Sequence, residues 1–326
     1  MDQDQQQLEN ALQAAQMYYY QNLPMKRIAA ELEVSHSTIS RLLTWARNEG
    51  LIEIRINDVR RRASPLEEVL KLHFKLKAVK VVPVAEVAGE SVWQDRVARV
   101  AANYLSQFME PDMILGVAVG QMVNHIAACL TPKSLINSHV VQLNGGSYVP
   151  GPGREHSSNL IAHIASNYEA MGHLFSVPSF FDYPETKQVL WRESSIQRIL
   201  NLQNTSDLIL FSPENLTSDI NRFYADSAEA TGQSTSIRQQ LESCQAVGLV
   251  ANVLIDRDGQ FENIPLNQQA CGPDLSLFNN VDRAICVVSG SDKLDCLWGA
   301  LRGKYVTDLI IDEPTARRLV ESFSSH

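Results

Sequence analysis

The sequence predicts an α/β chain of two domains: a small all-helical one at the N-terminus, then a larger one built on a mostly parallel sheet covered by helices. Three observations carry this. Between Leu23 and Asn48 apolar residues recur at helical spacing, and a short β-branched run ending at Ile56 follows. From Ala78 onward β-branched runs alternate with helical stretches, the rhythm of parallel strands joined by helical crossovers. Between the two lies a charged, turn-like segment, Asn57 to Ser64, closed by Pro65, which suits the first turn of a new helix. The expected division is residues 1–60, a linking helix over 61–78, and a second domain over 79–326.

In the first domain a helix is expected from about Gln5 to Gln21, with Leu8, Leu12, Ala15 and Tyr19 on its buried side and glutamines outside. A second, short helix follows over Met25 to Leu32, where Ile28 and Leu32 stand four apart with small alanines between. Ser35 can cap a third helix by accepting from a free amide of its first turn. Beyond it Ile39, Leu42, Leu43 and Ala46 mark a buried face, and at roughly 100° per residue Ser37, Arg41, Thr44 and Asn48 fall opposite. Two short helices joined by a tight turn, the second polar on its outer side, with a closing strand, make a winged-type helix-turn-helix. The turn position that favours glycine holds Glu33, which a left-handed backbone would strain by about 1 kcal/mol.

Such a second helix enters the DNA major groove by its N-terminal end, so His36, Ser37, Thr38 and Arg41 are the expected base readers. Arg41 is the strongest candidate, since its fork matches two acceptors on guanine. Ser35, Ser40, Thr44 and Arg47 join it on the DNA-facing side, and Ser40, Arg47 and the run Arg60, Arg61, Arg62 suit phosphates. The charge distribution agrees. Net charge over the chain is −9, yet residues 24–62 hold eight Lys/Arg and five Asp/Glu, for +3, leaving −12 elsewhere. That is a local basic footprint on an acidic protein.

Composition excludes several classes. At 326 residues and 44% apolar the chain can bury a sizeable core. No run of about 18 apolar residues occurs, and MDQDQQQLEN is acidic where a secretory leader would be basic, so a cytoplasmic protein without a membrane span is expected. Five cysteines without C-x-x-C spacing indicate neither a disulfide framework nor a zinc site, and Cys244, His156 and His163 lack partners at metal-ligand spacing. No metal and no cofactor is expected.

The second domain opens with a helix carrying Leu66, Val69, Leu70, Phe74 and Leu76 on a broad apolar side, suited to linking domains and pairing subunits. Strands are expected at VKVVPV, MILGVAV, HVVQL, DLILF, VANVLI, RAICVV and DLIIDE, with helices over Ser91 to Met109, Gly120 to Leu130 and Ser157 to Met171 and after the last two strands. Sheets of this kind bind ligands beyond the C-terminal ends of their strands. Three glycine-bearing turns lie there: Gly116 to Met122 with Gly120, Asn144 to Gly153 with Gly145, Gly146 and Ser147, and Ser289 to Lys293 with Gly290. One such turn alone is ordinary βα geometry; three at one sheet edge favour a site.

Two sets of motifs carry a family resemblance. In the first domain it is the paired tyrosines with SHSTISRLLTWARNEGLIEIRI; in the second, ILGVAVGQMV, VVQLNGG, SSNLIAHIA, FSVPSFFDYPETKQVLWRESSIQRIL, AVGLVANVLIDRDGQ and VVSGSDKLDCLWGALRGKYVTDLIIDEPTARRLV. Together they resemble the SorC family of bacterial sugar-responsive transcriptional regulators. The resemblance implies a Rossmann-like effector domain related to sugar-phosphate isomerases, double-stranded operator DNA as a partner, a phosphorylated sugar or related metabolite as effector, and a homotetramer arranged as a dimer of dimers. Carried over position by position, effector contacts fall at Gln121, Met122, Asn144, Ser157, Leu249 and Lys293, and only Lys293 keeps the family chemistry. Asn144 stands where some members have a cation and Leu249 where an acid is frequent. A buried phosphate without counter-charge is costly to desolvate, so these departures favour a less charged sugar, polyol or nucleoside-like effector alongside a phosphosugar.

The competing class is a sugar-phosphate isomerase or deaminase with an appended N-terminal domain. Its acid/base pair would have to come from Asp256, Asp258, Asp312 or Glu313, which follow apolar strands and equally suit turn and helix caps. No G-x-S-x-G, H-E-x-x-H or complete phosphate loop is present.

Overall fold

A computed structural model describes residues 2–20, 23–48, 51–52, 64–85, 89–146, 157–216, 243 and 245–324. The chain divides into two compact units, Met1–Arg62 and Ala63–His326.

In the first unit, α1 (Asp2–Ala15) widens into a π-helical turn at Gln16–Tyr20, and α2 (Met25–Glu31) and α3 (His36–Asn48) follow. The core is Ala14, Ala15, Met17, Ile28, Ala29, Ile39 and Leu43. The expected buried face of α1 is rotated. Leu8 and Leu12 are exposed, and Ala11 and Ala14 are fully buried instead. The reason is distance, because an alanine face lets α1 lie close on α3 where leucines would hold it off. The expected closing strand falls mostly on residues outside those described.

The second unit begins with α4 (Pro65–Phe74). Ser64 caps it in a reciprocal box with Glu67, and Pro65 sits in the first turn. There follow β1 (Ala78–Val82), α5 (Glu90–Phe108), β2 (Ile114–Val117), α6 (Gln121–Ala128), β3 (His139–Gln142), α7 (Ser157–Tyr168), β4 (Met171–His173), α8 (Pro184–Leu190), α9 (Ser194–Asn204), β5 (Leu208–Phe211), β6 (Glu214–Asn215), β7 (Ala246–Val250), β8 (Val253–Asp256), β9 (Arg283–Val288), α10 (Leu294–Arg302), β10 (Asp308–Asp312) and α11 (Glu313–Ser324). Seven strands form one sheet in the order β1-β10-β9-β5-β2-β3-β4, every pairing parallel.

The apolar runs are continuous because both faces of this sheet are covered. Alternate residues of one strand serve different cores: Leu208 and Leu210 of β5 pack with α5, α6 and α7, whereas Ile209 and Phe211 pack with α4, α10 and α11. β9 divides likewise, Ile285 and Val287 to one side, Ala284, Cys286 and Val288 to the other.

One expected strand of the parallel sheet is not there. VANVLI is broken at Ala251 and Asn252, whose φ angles are +47° and +68°, so the chain reverses into an antiparallel β7–β8 hairpin. Two consecutive left-handed residues are the hairpin turn that matches strand twist. The hairpin pairs with β6 in a separate three-stranded sheet. Met171, expected at a helix end, begins the edge strand β4.

Candidate functional site

In the helix-turn-helix, Ser35 Oγ accepts from the Thr38 amide at 3.1 Å and lies 2.7–2.8 Å from the hydroxyls of Ser37 and Thr38. The turn closes with Glu33 at φ +53°, the left-handed conformation expected there. Ile39, Leu43 and Ala46 are buried, while Ser35, His36, Ser37, Ser40, Arg41 and Thr44 are exposed and Thr38 is half-buried. Thr44 Oγ1 bonds back to Ser40 O at 2.8 Å. The side chain of Arg47 and all of Arg60, Arg61 and Arg62 lie outside the described residues. Among the described residues the outer side of α3 is therefore polar and hydroxyl-rich, with the Arg41 side chain exposed on it.

In the second unit the sheet order places the topological switch between β2 and β5: β3 and β4 extend to one side of β2, β5, β9 and β10 to the other. The crevice beyond the strand ends is expected at that switch. Around it come the turns after β2 (Ala118 to Gly120), β3 (Leu143 to Gly146), β5 (Ser212 to Glu214) and β9 (Ser289 to Lys293).

Asn144 joins two of these turns to the hairpin. It is 4% exposed, accepts from Val119 N at 2.6 Å, and donates to Val119 O at 3.1 Å and to Asn252 Oδ1 at 3.0 Å. Asn252 Nδ2 in turn donates to Gly145 O at 2.8 Å. From below, Gln142 Nε2 donates to Asn144 O at 2.7 Å, and Gln203 Nε2 donates to Gln142 O at 2.8 Å. Gly145 is required by proximity, because a Cβ there would fall 2.1 Å from Pro178 O.

The turn after β9 is held by Asp312 beneath it and by Arg318. Gly290 has φ +102°, and its amide donates to Asp312 Oδ2 at 2.9 Å; Asp312 also accepts from the Thr315 amide and hydroxyl, both at 2.8 Å. Arg318 Nη1 donates to Ser291 Oγ at 2.6 Å. Lys293 Nζ donates to Ser212 Oγ at 3.2 Å, across to the turn after β5. Two residues on, Glu214 lies against Gly120, with Oε1 2.6 Å from where a Cβ on that glycine would be.

Gly120, Gln121, Asn144, Gly145, Gly146, Gly290 and Lys293 thus sit on turns beside the switch, with Gln121 exposed. Gly116 lies within β2, where a Cβ would crowd Leu143 and Ser206 at 3.0 Å, so it answers to packing. Met122 and Leu249 are 3% and 4% exposed and belong to apolar clusters, leaving their side chains little to offer a ligand. Ser147 and the side chain of Ser157 lie outside the described residues. Sequence reasoning missed Asn252, Ser212 and Glu214. A Ser-Pro-Glu immediately after the wholly apolar LILF is the signal for the last two.

The acids weighed as catalytic bases have structural partners. Asp256 Oδ1 accepts from the amides of Asp258 and Gln260 at 2.9 and 2.8 Å, Asp258 pairs with Arg302 at 3.1 Å, and Glu313 pairs with Arg317. Among the described residues no group of three or more His, Cys, Asp and Glu could hold a metal, and no helix is long and apolar enough to cross a membrane.

Compared with known proteins, residues 61–321 match the family described as "Putative sugar-binding domain". The deoxyribonucleoside regulator of Bacillus subtilis (strain 168) is 30% identical over 325 residues, 98% of this chain and 99% of that one. This chain belongs to the SorC family. The sorbitol operon regulator of Klebsiella pneumoniae is 25% identical, covering 94% of this chain and 96% of the other. The crystal structure of the full-length sorbitol operon regulator SorC from the same organism superposes with a TM-score of 0.78 over 96% of this chain and 98% of that one; at 23% identity it speaks for the fold. A domain of "a possible sugar-binding transcriptional regulator" from Arthrobacter aurescens TC1 gives 0.70 at 35% identity, covering 79% of this chain and all of that one. As a SorC-family member the protein is a sugar-responsive, DNA-binding transcriptional regulator.

Proposed function

We propose that α3 reads operator DNA through His36, Ser37, Thr38 and Arg41, with Ser35, Ser40, Thr44 and Arg47 alongside. The effector, a small sugar, polyol or phosphosugar, binds at the β2/β5 switch. Residues 1–60 are the reading head, 61–78 the linker, and 79–326 the effector-binding and oligomerisation domain of a cytoplasmic homotetramer, a dimer of dimers. The observation that carries the reading is the outer side of α3: a capped helix with Ser37, Arg41 and Thr44 exposed together and its apolar side buried.

A route for control is supported by two helices that begin at the candidate site. α10 starts directly after Lys293 and α11 directly after Asp312. Both reach α4, where Phe323 of α11 stacks on His73 with centroids 3.8 Å apart and Trp298 of α10 meets Phe74 edge-on at 5.7 Å. α4 is the first helix after the boundary at Arg62. An effector that prefers one arrangement of these helices shifts the population of subunit arrangements and with it the spacing of paired reading heads.

The protein is not an enzyme on this reading, which is supported by the turn-capping and ion-pair roles of Asp256, Asp258, Asp312 and Glu313. Fluorescence anisotropy with promoter fragments from the protein's own gene neighbourhood, at low salt and with a panel of sugars, polyols and their phosphates, tests the proposal. Salt-dependent binding that one ligand class alters is expected; failure to bind any fragment overturns it. Turnover of pentose or hexose phosphates would overturn the non-enzymatic reading.

A further inference from the structure

We infer that Glu214 sets the charge of the effector: its carboxylate takes the place beside α6 that an anion would otherwise fill, so the site selects a neutral polyhydroxylated ligand over a phosphorylated one. This rests on the effector site proposed above and narrows it.

The first observation is position. Glu214 follows β5 and Gly120 follows β2, the two strands that flank the topological switch. The second is closeness. Gly120 has φ −174°, an extended backbone open to any residue, so conformation does not demand glycine there. What lies there is the glutamate: a Cβ would meet Glu214 Oε1 at 2.6 Å, the far end of a flexible side chain that can swing aside for it. Gly120 is also the N-cap of α6, whose following amides carry the partial positive charge that draws anions. A carboxylate oxygen of the protein itself is what stands beside it.

The third observation is that the backbone of Glu214 is held in place. It lies on β6, registered against Leu249 of β7, and its neighbour Asn215 donates to Asp292 Oδ2 at 2.9 Å. The fourth is charge. Among the described residues of these turns and their supports, Lys293 and Arg318 are cations and Glu214, Asp292 and Asp312 are acids, and each cation already donates to a serine, Ser212 and Ser291. A phosphate dianion would bring further negative charge beside a carboxylate. Ligand hydroxyls reverse the balance, because an ionised carboxylate has about four lone-pair sites and hydroxyls donate to them. Asn144, which bonds Val119 one residue before Gly120, adds an uncharged side chain to the same turns.

A carboxylate at this place also supports the start of α6, and the test separates that role from ligand selection. Full-length wild-type protein, Glu214→Gln and Glu214→Ala are titrated with inorganic phosphate by calorimetry, with circular dichroism as the check on folding. Removing the like charge should tighten phosphate binding by on the order of tenfold or more in both variants, with wild type the weakest. A Glu214 that only supports the helix would lower the melting temperature and leave phosphate affinity where it was. Equal or tighter phosphate binding by wild type, or none by any of the three, overturns the inference. Should one variant fail to fold, the other is compared with wild type by the same criterion: tighter phosphate binding upholds the inference and equal or weaker binding overturns it. The broader reading fails separately, if no sugar, polyol or phosphate ester alters operator binding.

Discussion

The side-chain amide of Asn144 donates to Asn252 Oδ1 at 3.0 Å, joining residues 108 positions apart and fixing the tip of the β7–β8 hairpin against the turn after β3. Because the same side chain both accepts from and donates to the backbone of Val119, three segments of the candidate site are registered by one residue. Asn144→Ala leaves the Val119 amide and carbonyl and the Asn252 side chain without that partner. Each buried polar group so orphaned costs about 1–3 kcal/mol, and at roughly 2–4 °C per kcal/mol for a domain of this size the melting temperature should fall by several degrees. Effector affinity should fall with it. Thermal denaturation and calorimetry on the same variant measure both.

Much of this architecture is legible in sequence because its causes are local. The runs at Ala78–Val82, Leu208–Phe211 and Arg283–Val288 are apolar at nearly every position, which two-sided burial imposes, and the cap at Ser35 and the turn at Glu33 are short-range chemistry. What escaped depends on partners distant in the chain. Within VANVLI the reversal at Ala251–Asn252 is signalled only by one asparagine, a type that tolerates the left-handed region, beside an alanine that does not favour it; the turn is supported by Asn252 bonding Gly145 and Asn144. On α1 the leucines dominate the hydrophobic pattern of the sequence, while close helix packing selects the alanines. The pairing of Glu214 with Gly120 needs the sheet order before it can be seen.

A pH dependence follows from the edge of the sheet. His139 Nδ1 and His173 Nε2 are 2.9 Å apart, a hydrogen bond that requires at least one neutral ring. Burial, and then the neighbouring His139, hold the His173 pKa below its ordinary value of about 6.5. As pH falls through that ordinary value the unfolded chain takes up a proton that the folded chain resists, so stability is full above it and declines below it until the folded group also titrates. Urea midpoints measured from pH 7.5 downward should decline more steeply in wild type than in His173→Gln. Parallel profiles would remove His173 as the cause.

At the turn of the helix-turn-helix, Glu33 holds φ +53°, a conformation that costs an L-residue about 1 kcal/mol more than glycine. Glu33→Gly should relieve up to about 1 kcal/mol, less whatever the freer glycine adds to the unfolded chain's entropy. Glu33→Ala makes the control, removing the same exposed charge without relieving the backbone. Hydrogen exchange at the buried positions Ile39 and Leu43 of α3 reports the unit's own stability, and greater protection in the glycine variant than in the alanine one is the expected result.

Arg41 puts the DNA-reading assignment to its most direct test. It stands on the exposed side of α3, one helical turn beyond Ser37 and three residues before Thr44, opposite the buried Ile39 and Leu43. Because its side chain is exposed, Arg41→Ala should leave the melting temperature within the small range typical of surface changes. Loss of a bidentate contact to a base should cost about 1–3 kcal/mol in operator affinity and relax preference at one base pair. A phosphate contact would instead weaken all sequences alike and reduce the salt dependence by about one counterion. Anisotropy titrations against the operator and single-base variants, at two salt concentrations, distinguish these outcomes. Unchanged affinity for every duplex would mean that the polar side of α3 does something other than read DNA, and the neighbouring His36, Ser37 and Thr38 would lose their proposed role with it.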